Sequence, residues 1–342
     1  MNNDDFAIVI GINRYDDKAR NLTSPVCDAK AVADWLTSPD GGAIPAAADL
    51  NEKSGQCLLL LSEEGSDKQV GEREIRKALQ RAASFCKDRP GRRLYFYFSG
   101  HGIAKDSNDV LMCHSEWDHG TEHANISSVY LHENFFNRCC GGFDEVVMWI
   151  DCCRNEKLRA LPASPMMSCR ESHKIEQKRL IVYATSHGAS AFEATDASHS
   201  GLSIFTEVLL EGLKYAKHER HNAITWESVN RHLNVNVPLR AKSFGKNQRA
   251  QIEIPQWYMD DPVYSDKVQK IDLVIELEGF EGLVVLKDNG QQVATVQVED
   301  DHVKWPLKLS PRLYQLHLPD GREEVLAVDV KQEVYCYECI TV

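Results

Sequence analysis

Two predicted strands end on residue pairs that could perform nucleophilic chemistry. The apolar run in LYFYFSGHG ends on Ser99 and His101, and the run in VVMWIDCC ends on Asp151 and Cys153. The two residues of each pair lie two positions apart, so alternation along the strand places them on one face. A cysteine thiol needs a base to become nucleophilic, and a neighbouring imidazole can act as that base and later protonate a leaving amine. The two strand ends therefore predict a His101–Cys153 pair.

The glycine after the histidine indicates where a substrate carbonyl would lie. Gly102 has no side chain, so a substrate can approach its backbone closely. We expect the backbone N–H groups of Gly102 and Cys153 to form an oxyanion hole for the charge that develops on a carbonyl oxygen under attack. We expect the adjacent Cys152 on the opposite face of its strand, against a covering helix.

The elements that must position these residues alternate between strands and helices. Buried strands are predicted for FAIVIGI, QCLLLLS, RLYFYFS, EVVMWIDCC and KRLIVYATS, and helices for PVCDAKAVADWL, EREIRKALQRAASF and GLSIFTEVLLEGLKYA. This alternation predicts an α/β fold with a mainly parallel sheet and helices on both of its faces. Ligands of such folds bind outside the carboxyl ends of the strands, where both polar pairs lie.

The pattern changes after about Tyr264. From Lys270 onward only strand-like runs follow, with DNG and PDG as turn signals between them. We therefore predict an α/β domain of residues 1–264 and a small, sandwich-like all-β domain of residues 265–342. A chain of 342 residues is long enough for one large domain and one small one.

Composition excludes several classes of function. The net charge of −12 argues against general binding to nucleic acids or anionic membranes. The N-terminus MNNDDF is acidic, and no apolar run approaches the length of a membrane span, so we expect a cytoplasmic protein. The eleven cysteines form neither a disulfide framework nor a paired CxxC zinc pattern, and we expect no cofactor.

Five segments together resemble one family of enzymes. FAIVIGINRY, CDAKAVADWL, YFYFSGHG, VVMWIDCCRN and VYATSHGASAFEAT followed by SGLSIFTEVLLEGL occur in the family's order, from Phe6 to Ala216. They resemble the caspase and metacaspase group of cysteine peptidases (peptidase C14 type), prokaryotic caspase-like proteins in particular. The resemblance implies a caspase-like fold, proteins or peptides as substrates, His101 as the catalytic histidine and Cys153 as the nucleophile. Caspases separate these two residues by about 50 positions, close to the interval here.

The residues around the nucleophile carry the implied specificity. Asp-Cys-Cys-Arg-Asn matches neither the caspase nor the metacaspase pattern fully, although Asp151 agrees with metacaspases. In that branch the resemblance implies an S1 pocket formed by Asp151, Asp28 and Ser99. Two carboxylates in one cleft suit a guanidinium or an ammonium group, so we expect cleavage after Arg or Lys.

Cleavage after aspartate stays open as an alternative. It would require basic side chains in the pocket, and the sequence offers three candidates: Arg14, Arg20 and Arg154.

A calcium site is a further open question. Metacaspases bind calcium through acids that follow the catalytic histidine, and this chain has Asp106, Asp109, Glu116 and Asp118 there, without the usual acidic spacing. A solvated acidic loop is the alternative, and we favour it.

The segment from Asn155 to Lys178 could be a processing linker. It joins the fourth and fifth predicted strands, contains several basic residues and corresponds to the segment cut during caspase maturation. A pocket for basic residues would permit self-cleavage here, and the alternative is a loop that stays intact.

A role without catalysis also remains open. The chain could be a silent caspase-like scaffold that recruits partners through residues 265–342, or a peptidase that an upstream activator engages through the same residues. The presence of both His101 and Cys153 favours an active peptidase.

Overall fold

A computed structural model describes residues 4–52, 54–66, 68–88, 91–117, 124–155, 177–192, 201–216, 224–253, 255, 263, 271–278, 281–288, 291–299, 302–309 and 312–328. The chain divides into two units, one of Met1–Lys214 with Val229–Met259, the other of Tyr215–Ser228 with Asp260–Val342. The domain boundary at residues 264/265 stays a prediction, because residues 264–270 lie outside the described ones.

Strands and helices alternate along the first part of the chain. The strands are β1 (Asp5–Ile12), β2 (Cys57–Ser62), β3 (Gly91–Ser99), β4 (Gly102–Ala104), β5 (Val110–Cys113), β6 (Asn125–Ser127), β7 (Phe143–Asp151), β8 (Lys178–Tyr183) and β9 (Gln251–Glu253). The helices are α1 (Pro25–Thr37), α2 (Glu72–Asp88), α3 (Asn137–Cys139), α4 (Ile204–Tyr215) and α5 (Trp226–Ser243), with a 3-10 turn at Lys18–Arg20 and a π-helical segment at Tyr130–Phe136.

The long apolar runs form one six-stranded sheet. Its strand order is β2-β1-β3-β7-β8-β9, and every neighbouring pair is parallel except β8 and β9. Strands of a parallel sheet are covered on both faces, which is why β1 is buried along its whole length and apolar from Phe6 onward. The prediction of an α/β fold with a mainly parallel sheet is confirmed.

Helices cover both faces of this sheet. Phe96 of β3 lies in one core with Ile75 of α2. The next residue back along β3, Tyr95, points to the other face, where its ring centroid lies 6.4 Å from that of Trp35 of α1. Side chains alternate along a strand, so β3 contributes to both cores and is fixed from both sides.

A second, smaller sheet occupies a stretch for which the sequence indicated only irregular structure. β4, β5 and β6 pair antiparallel, and β4 begins at Gly102, directly after His101. Strands of three or four residues are too short for an alternating pattern to be recognised. This sheet continues the chain from the end of β3 and holds the segment after the candidate histidine in place.

In the described part of the C-terminal region all the elements are strands, as the sequence predicts. They are β10 (Ile271–Glu278), β11 (Gly282–Asp288), β12 (Gln291–Val298), β13 (His302–Leu309), β14 (Arg312–His317) and β15 (Glu323–Val328). β10 pairs with β13, and the other four form a sheet in the order β12-β11-β14-β15, with all pairs antiparallel. The PDG signal lies at the turn between β14 and β15, where Gly321 has a φ of 87°.

The sequence predicts no membrane-spanning segment, and the helices can be compared with that expectation. Within the described ranges, none of them combines the length and the apolar character that a membrane span requires.

A buried ion pair between two central strands provides a test of the sheet's energetics. The Arg93 guanidinium is buried beside the Glu145 carboxylate and donates to the Tyr95 hydroxyl at 2.9 Å. Glu145→Ala leaves a buried charge without its main counter-charge, so we expect the free energy of unfolding to fall by about 3 kcal/mol. Urea denaturation followed by circular dichroism measures this change.

Two controls accompany the Glu145 experiment. The Arg76–Glu72 pair is half-exposed on α2, so Arg76→Ala should cost no more than about 0.5 kcal/mol. The double variant Arg93→Met/Glu145→Leu removes both charges and should recover most of the loss. A single Glu145→Ala variant as stable as the parent chain would contradict the expected cost of leaving the Arg93 guanidinium without this carboxylate.

Candidate active site

The pairing of β3 with β7 brings the two predicted strand ends together. Ser99 is opposite Asp151 in the parallel register, and Gly100 N–H donates to the Asp151 carbonyl at 3.3 Å. Pairing resumes further on, where Ile103 is opposite Asn155 with the same offset in sequence. The two residues midway between these pairs are His101 and Cys153. Register alone therefore brings the histidine and the cysteine to opposed positions at the carboxyl edge of the sheet.

The imidazole of His101 is held from several directions. Its backbone N–H donates to the Tyr15 hydroxyl at 2.8 Å, and its ring centroid lies 4.9 Å from that of Tyr15 and 5.5 Å from that of Trp117. Nε2 lies 2.7 Å from the carbonyl oxygen of Arg20. A carbonyl oxygen can only accept, so Nε2 carries the proton of the neutral ring and Nδ1 is its basic nitrogen.

The thiol of Cys153 is half-buried and protonated at rest. Its Sγ lies 3.6 Å from the Ala191 carbonyl oxygen. Burial raises the pKa of Cys153, and the Asp151 carboxylate adds to the rise, while hydrogen bonds with the Ala191 backbone and Ser190 oppose it. A thiol with a raised pKa needs a base at the moment of attack, and the opposed histidine could serve as one.

Gly102 closes the gap between the two chain segments. A Cβ at this position would lie 2.2 Å from Cys152 Sγ and 2.7 Å from the Cys153 carbonyl oxygen, so only glycine fits here. Cys152 lies on the core face of its strand, as expected. Cys152 packs under the small sheet, next to Gly102 of β4 and near Cys113 of β5, and the expected covering helix stays a prediction. Burial raises the pKa of Cys152 far above that of an ordinary thiol, which makes it unreactive.

The three predicted pocket residues lie together on the face of the sheet opposite to Cys152. Asp28, Ser99 and Asp151 are all buried. Ser99 Oγ donates to Asp28 Oδ2 at 3.0 Å, which joins α1 to the end of β3. Asp151, at the end of the adjacent β7, is opposite Ser99 in the register. The two acids therefore flank one strand end.

Two further residues contact these acids and were not predicted from the sequence. Ser203 donates through its backbone N–H to Asp28 Oδ1 at 2.7 Å and through its hydroxyl to Asp151 Oδ2. Thr206 Oγ1 donates to the same Asp151 oxygen at 2.8 Å. A serine before an apolar helix, with a polar residue three positions later, is an N-capping pattern and could have drawn attention to SIFT.

The three arginines considered for an aspartate-specific pocket have partners elsewhere. Arg154 is buried, with Nη1 2.5 Å from Gln251 Oε1 and its guanidinium 4.2 Å from the ring centroid of Tyr183. Arg14 Nη1 donates to the Ser66 carbonyl oxygen at 2.5 Å. Arg20 Nε lies 3.1 Å from Asp17 Oδ2, and its Cζ lies 4.1 Å from the ring centroid of Trp117.

Three of the four acids considered for calcium accept hydrogen bonds from protein donors. Asp106 accepts from the backbone N–H groups of Asn108 and Asp109, at 2.8 and 2.9 Å. Asp109 accepts from Ser127 Oγ, and Glu116 from the backbone N–H of Glu72. Asp118 lies outside the described residues. Among the residues that are described, no three His, Cys, Asp or Glu side chains are grouped to hold a metal ion.

The raised pKa of Cys153 predicts slow alkylation. We expect iodoacetamide to modify Cys153 more slowly than the exposed Cys27 at pH 7.5, with a rate that rises only above the ordinary thiol pKa of about 8.5. Asp151→Asn removes a charge that raises the pKa of Cys153, so in this variant the alkylation rate of Cys153 should begin to rise at a lower pH. Peptide mass spectrometry over a pH series measures both rates. A Cys153 rate already at its plateau at pH 6 would indicate a resting thiolate and contradict this description.

Comparisons with known proteins agree with this architecture. The family model for the caspase domain of peptidase family C14 matches residues 4–261. A relative from a Desulfuromonadales bacterium, named "Probable protease", is 28% identical over an alignment of 265 positions that covers 71% of this chain but only 31% of the relative. The crystal structure of caspase-1 from Spodoptera frugiperda has a TM-score of 0.48 and 14% identity, covering 74% of this chain and 87% of that one, a likeness too distant to support a conclusion. Because the family match extends over most of its length, the chain belongs to the caspase-domain family of cysteine peptidases, peptidase family C14.

Proposed function

We propose that the chain is a cysteine endopeptidase in which His101 and Cys153 form the catalytic pair. The observation that carries this proposal is the pairing of the two chain segments. Ser99 is opposite Asp151 before the two residues, and Ile103 is opposite Asn155 after them with the same offset, so His101 and Cys153 are opposed. Family membership supports it, since caspase domains of family C14 are cysteine peptidases. The free thiols of the cysteines in the described segments agree with a reducing compartment, and we propose the cytoplasm.

The proposed reaction follows the chemistry of a thiol and a neutral imidazole. His101 Nδ1 takes the proton of Cys153 Sγ as the sulfur attacks the scissile carbonyl carbon, forming a tetrahedral oxyanion. The backbone N–H groups of Gly102 and Cys153 are proposed to stabilise that oxyanion. The imidazolium then protonates the leaving amine, and the C–N bond breaks to leave a thioester. Water, deprotonated by the same imidazole, hydrolyses the thioester and restores the thiol.

The Arg20 carbonyl has a defined part in this proposal. It accepts the Nε2 proton of His101, so that the other nitrogen remains available as the base and the ring cannot turn freely. Once the imidazole is protonated, the same carbonyl dipole stabilises the positive charge. The Tyr15 hydroxyl restrains the backbone of the histidine in the same way.

We propose that the S1 pocket binds Arg or Lys through Asp28 and Asp151. Both carboxylates are buried on one face of the sheet, where a cation would neutralise their charge. The engagement of Arg14, Arg20 and Arg154 with other partners supports this specificity over cleavage after aspartate.

Cleavage of a positional peptide library tests the proposal. We expect turnover only with Arg or Lys at P1, and we expect Cys153→Ala or His101→Ala to lower kcat/KM by at least about a thousandfold. Cys152→Ala is the matched control, since it removes the adjacent buried thiol and should keep most of the activity. Preferred cleavage after Asp would contradict the basic pocket, and activity that survives Cys153→Ala would contradict the catalytic pair.

We further propose that the enzyme cuts its own linker between β7 and β8. Residues 156–176 of this linker lie outside the described ones, but its sequence supplies suitable P1 residues: Lys157, Arg159, Arg170 and Lys174. Intact-mass measurement should find the wild-type chain cleaved within residues 155–178 and the Cys153→Ala chain at full length. Two full-length chains after prolonged incubation would rule out self-processing.

We propose that the all-β region is where an upstream activator or partner engages the enzyme. Among the described residues of its strands, the large apolar side chains of Leu283 and Val293 are exposed. Binding of a partner to this region would decide when the peptidase acts. Recruitment and catalysis would then be separate, because the proposed catalytic pair lies at the ends of other strands.

A further inference from the structure

One serine contacts both acids of the proposed S1 pocket. The backbone N–H of Ser203 donates to Asp28 Oδ1 at 2.7 Å, and its hydroxyl donates to Asp151 Oδ2. Asp28 comes from α1 and Asp151 from the end of β7, so Ser203 joins two elements that are distant in sequence. Ser203 is itself buried.

The hydroxyl of Ser203 is oriented by the helix that follows it. Ser203 is the N-cap of α4, because its carbonyl accepts the first helical hydrogen bond, from Glu207 N–H at 3.0 Å. Its Oγ accepts from Thr206 N–H at 3.1 Å. A hydroxyl has a single proton, and an oxygen that already accepts from the helix directs that proton to its other neighbour, the Asp151 carboxylate.

This arrangement favours the charged form of both acids. Two buried carboxylates close to one strand end disfavour each other's ionisation. The N-terminal end of α4 carries partial positive charge and supplies donors to both: Ser203 to each acid, and the Thr206 hydroxyl to Asp151 at 2.8 Å. The Tyr97 hydroxyl, 2.6 Å from Thr206 Oγ1, extends this hydrogen-bonded group into the core.

The residue after Ser203 is hydrogen-bonded to the segment that contacts Cys153, the proposed nucleophile. Ile204 N–H donates to the Phe192 carbonyl at 3.2 Å. The preceding residue, Ala191, provides the carbonyl that Cys153 Sγ contacts. A displacement of Ser203 would therefore disturb the acids and the thiol's surroundings together.

We propose that Ser203 is the positioning residue of the S1 pocket, keeping Asp28 and Asp151 ionised and correctly spaced for a cationic P1 side chain. This inference rests on the proposed function, in which that pocket receives P1. Ser203 contacts the acids and acts on the substrate through them.

Binding of benzamidine, a compact amidinium, tests the inference without requiring turnover. Calorimetry uses the full chain with Cys153→Ala as the parent. We expect Ser203→Ala to weaken benzamidine binding by about tenfold or more, because hydrogen bonds to charged groups contribute that much. Ser203→Thr keeps the hydroxyl and should bind within about threefold of the parent. Ser203→Gly, which is still an acceptable N-cap, provides a variant without the hydroxyl should the alanine chain fail to fold.

Thr225 offers a matched control for the loss of a cap. It is the N-cap of α5, with Oγ1 accepting from Ser228 N–H at 3.2 Å, and it is as buried as Ser203. Thr225→Ala should lower stability as any lost cap does and leave benzamidine binding unchanged. Equal weakening by Thr225→Ala and Ser203→Ala would overturn the inference, as would Ser203→Ala binding like the parent or a parent that binds no benzamidine at millimolar concentration.

The selectivity of the active chain separates this inference from the proposed function. In the Cys153 background, Ser203→Ala should lower the ratio of kcat/KM for P1 Arg to that for P1 citrulline, its uncharged analogue, by about tenfold. If benzamidine binds and depends on Ser203, but no Cys153-dependent cleavage after Arg or Lys occurs, the proposed function fails and the inference stands. If cleavage after Arg is efficient and its ratio to citrulline is unaffected by Ser203→Ala, the inference fails and the function stands.

Discussion

The parallel register between β3 and β7 is the constraint on which the rest of the site depends. Parallel strands advance together, so one register determines which residues are opposed at the carboxyl edge. Here it opposes Ser99 to Asp151, and an isolated bridge beyond the strand ends pairs Ile103 of β4 with Asn155 at the same offset, with the histidine and the cysteine between. A shift of one residue would reverse the faces of one strand relative to the other and would separate the thiol from the imidazole. The apolar side chains of both strands prevent such a shift, because they are buried on both faces.

Alternation along these strands divides the site into two chemically different halves. Asp151 and Ser99 face α1 and α4, where polar donors surround them. Cys152, between Asp151 and Cys153, faces the apolar core, where Gly102 leaves just enough room for its sulfur. Cys152 thus separates Asp151 from Cys153 along the chain, and a backbone shift at this strand end would move the proposed pocket acid and the proposed nucleophile together.

Burial acts on two kinds of acidic group at these strand ends. It raises the pKa of the Cys153 thiol, so the thiol needs a base to become a nucleophile. The Asp28 and Asp151 carboxylates are buried as well, and they accept hydrogen bonds from Ser99 and from Ser203, the N-cap of α4.

The sequence by itself determined the elements and the chemistry of their ends. Continuous apolar runs of this length predicted strands covered on both faces. The glycine after the histidine was predicted to admit a substrate, and the structure gives it a second reason, since its backbone packs against Cys152 and Cys153. The small sheet β4–β6 could not be predicted, because its strands are too short to show a period. Ser203 and Thr206 could not be assigned to the pocket either, since Ser203 lies 175 residues from Asp28 in the chain and only the packing of α4 beside α1 brings them together. The partners of Arg14, Arg20 and Arg154 were equally a matter of tertiary structure, because a long charged side chain can reach many neighbours and only the folded chain decides which.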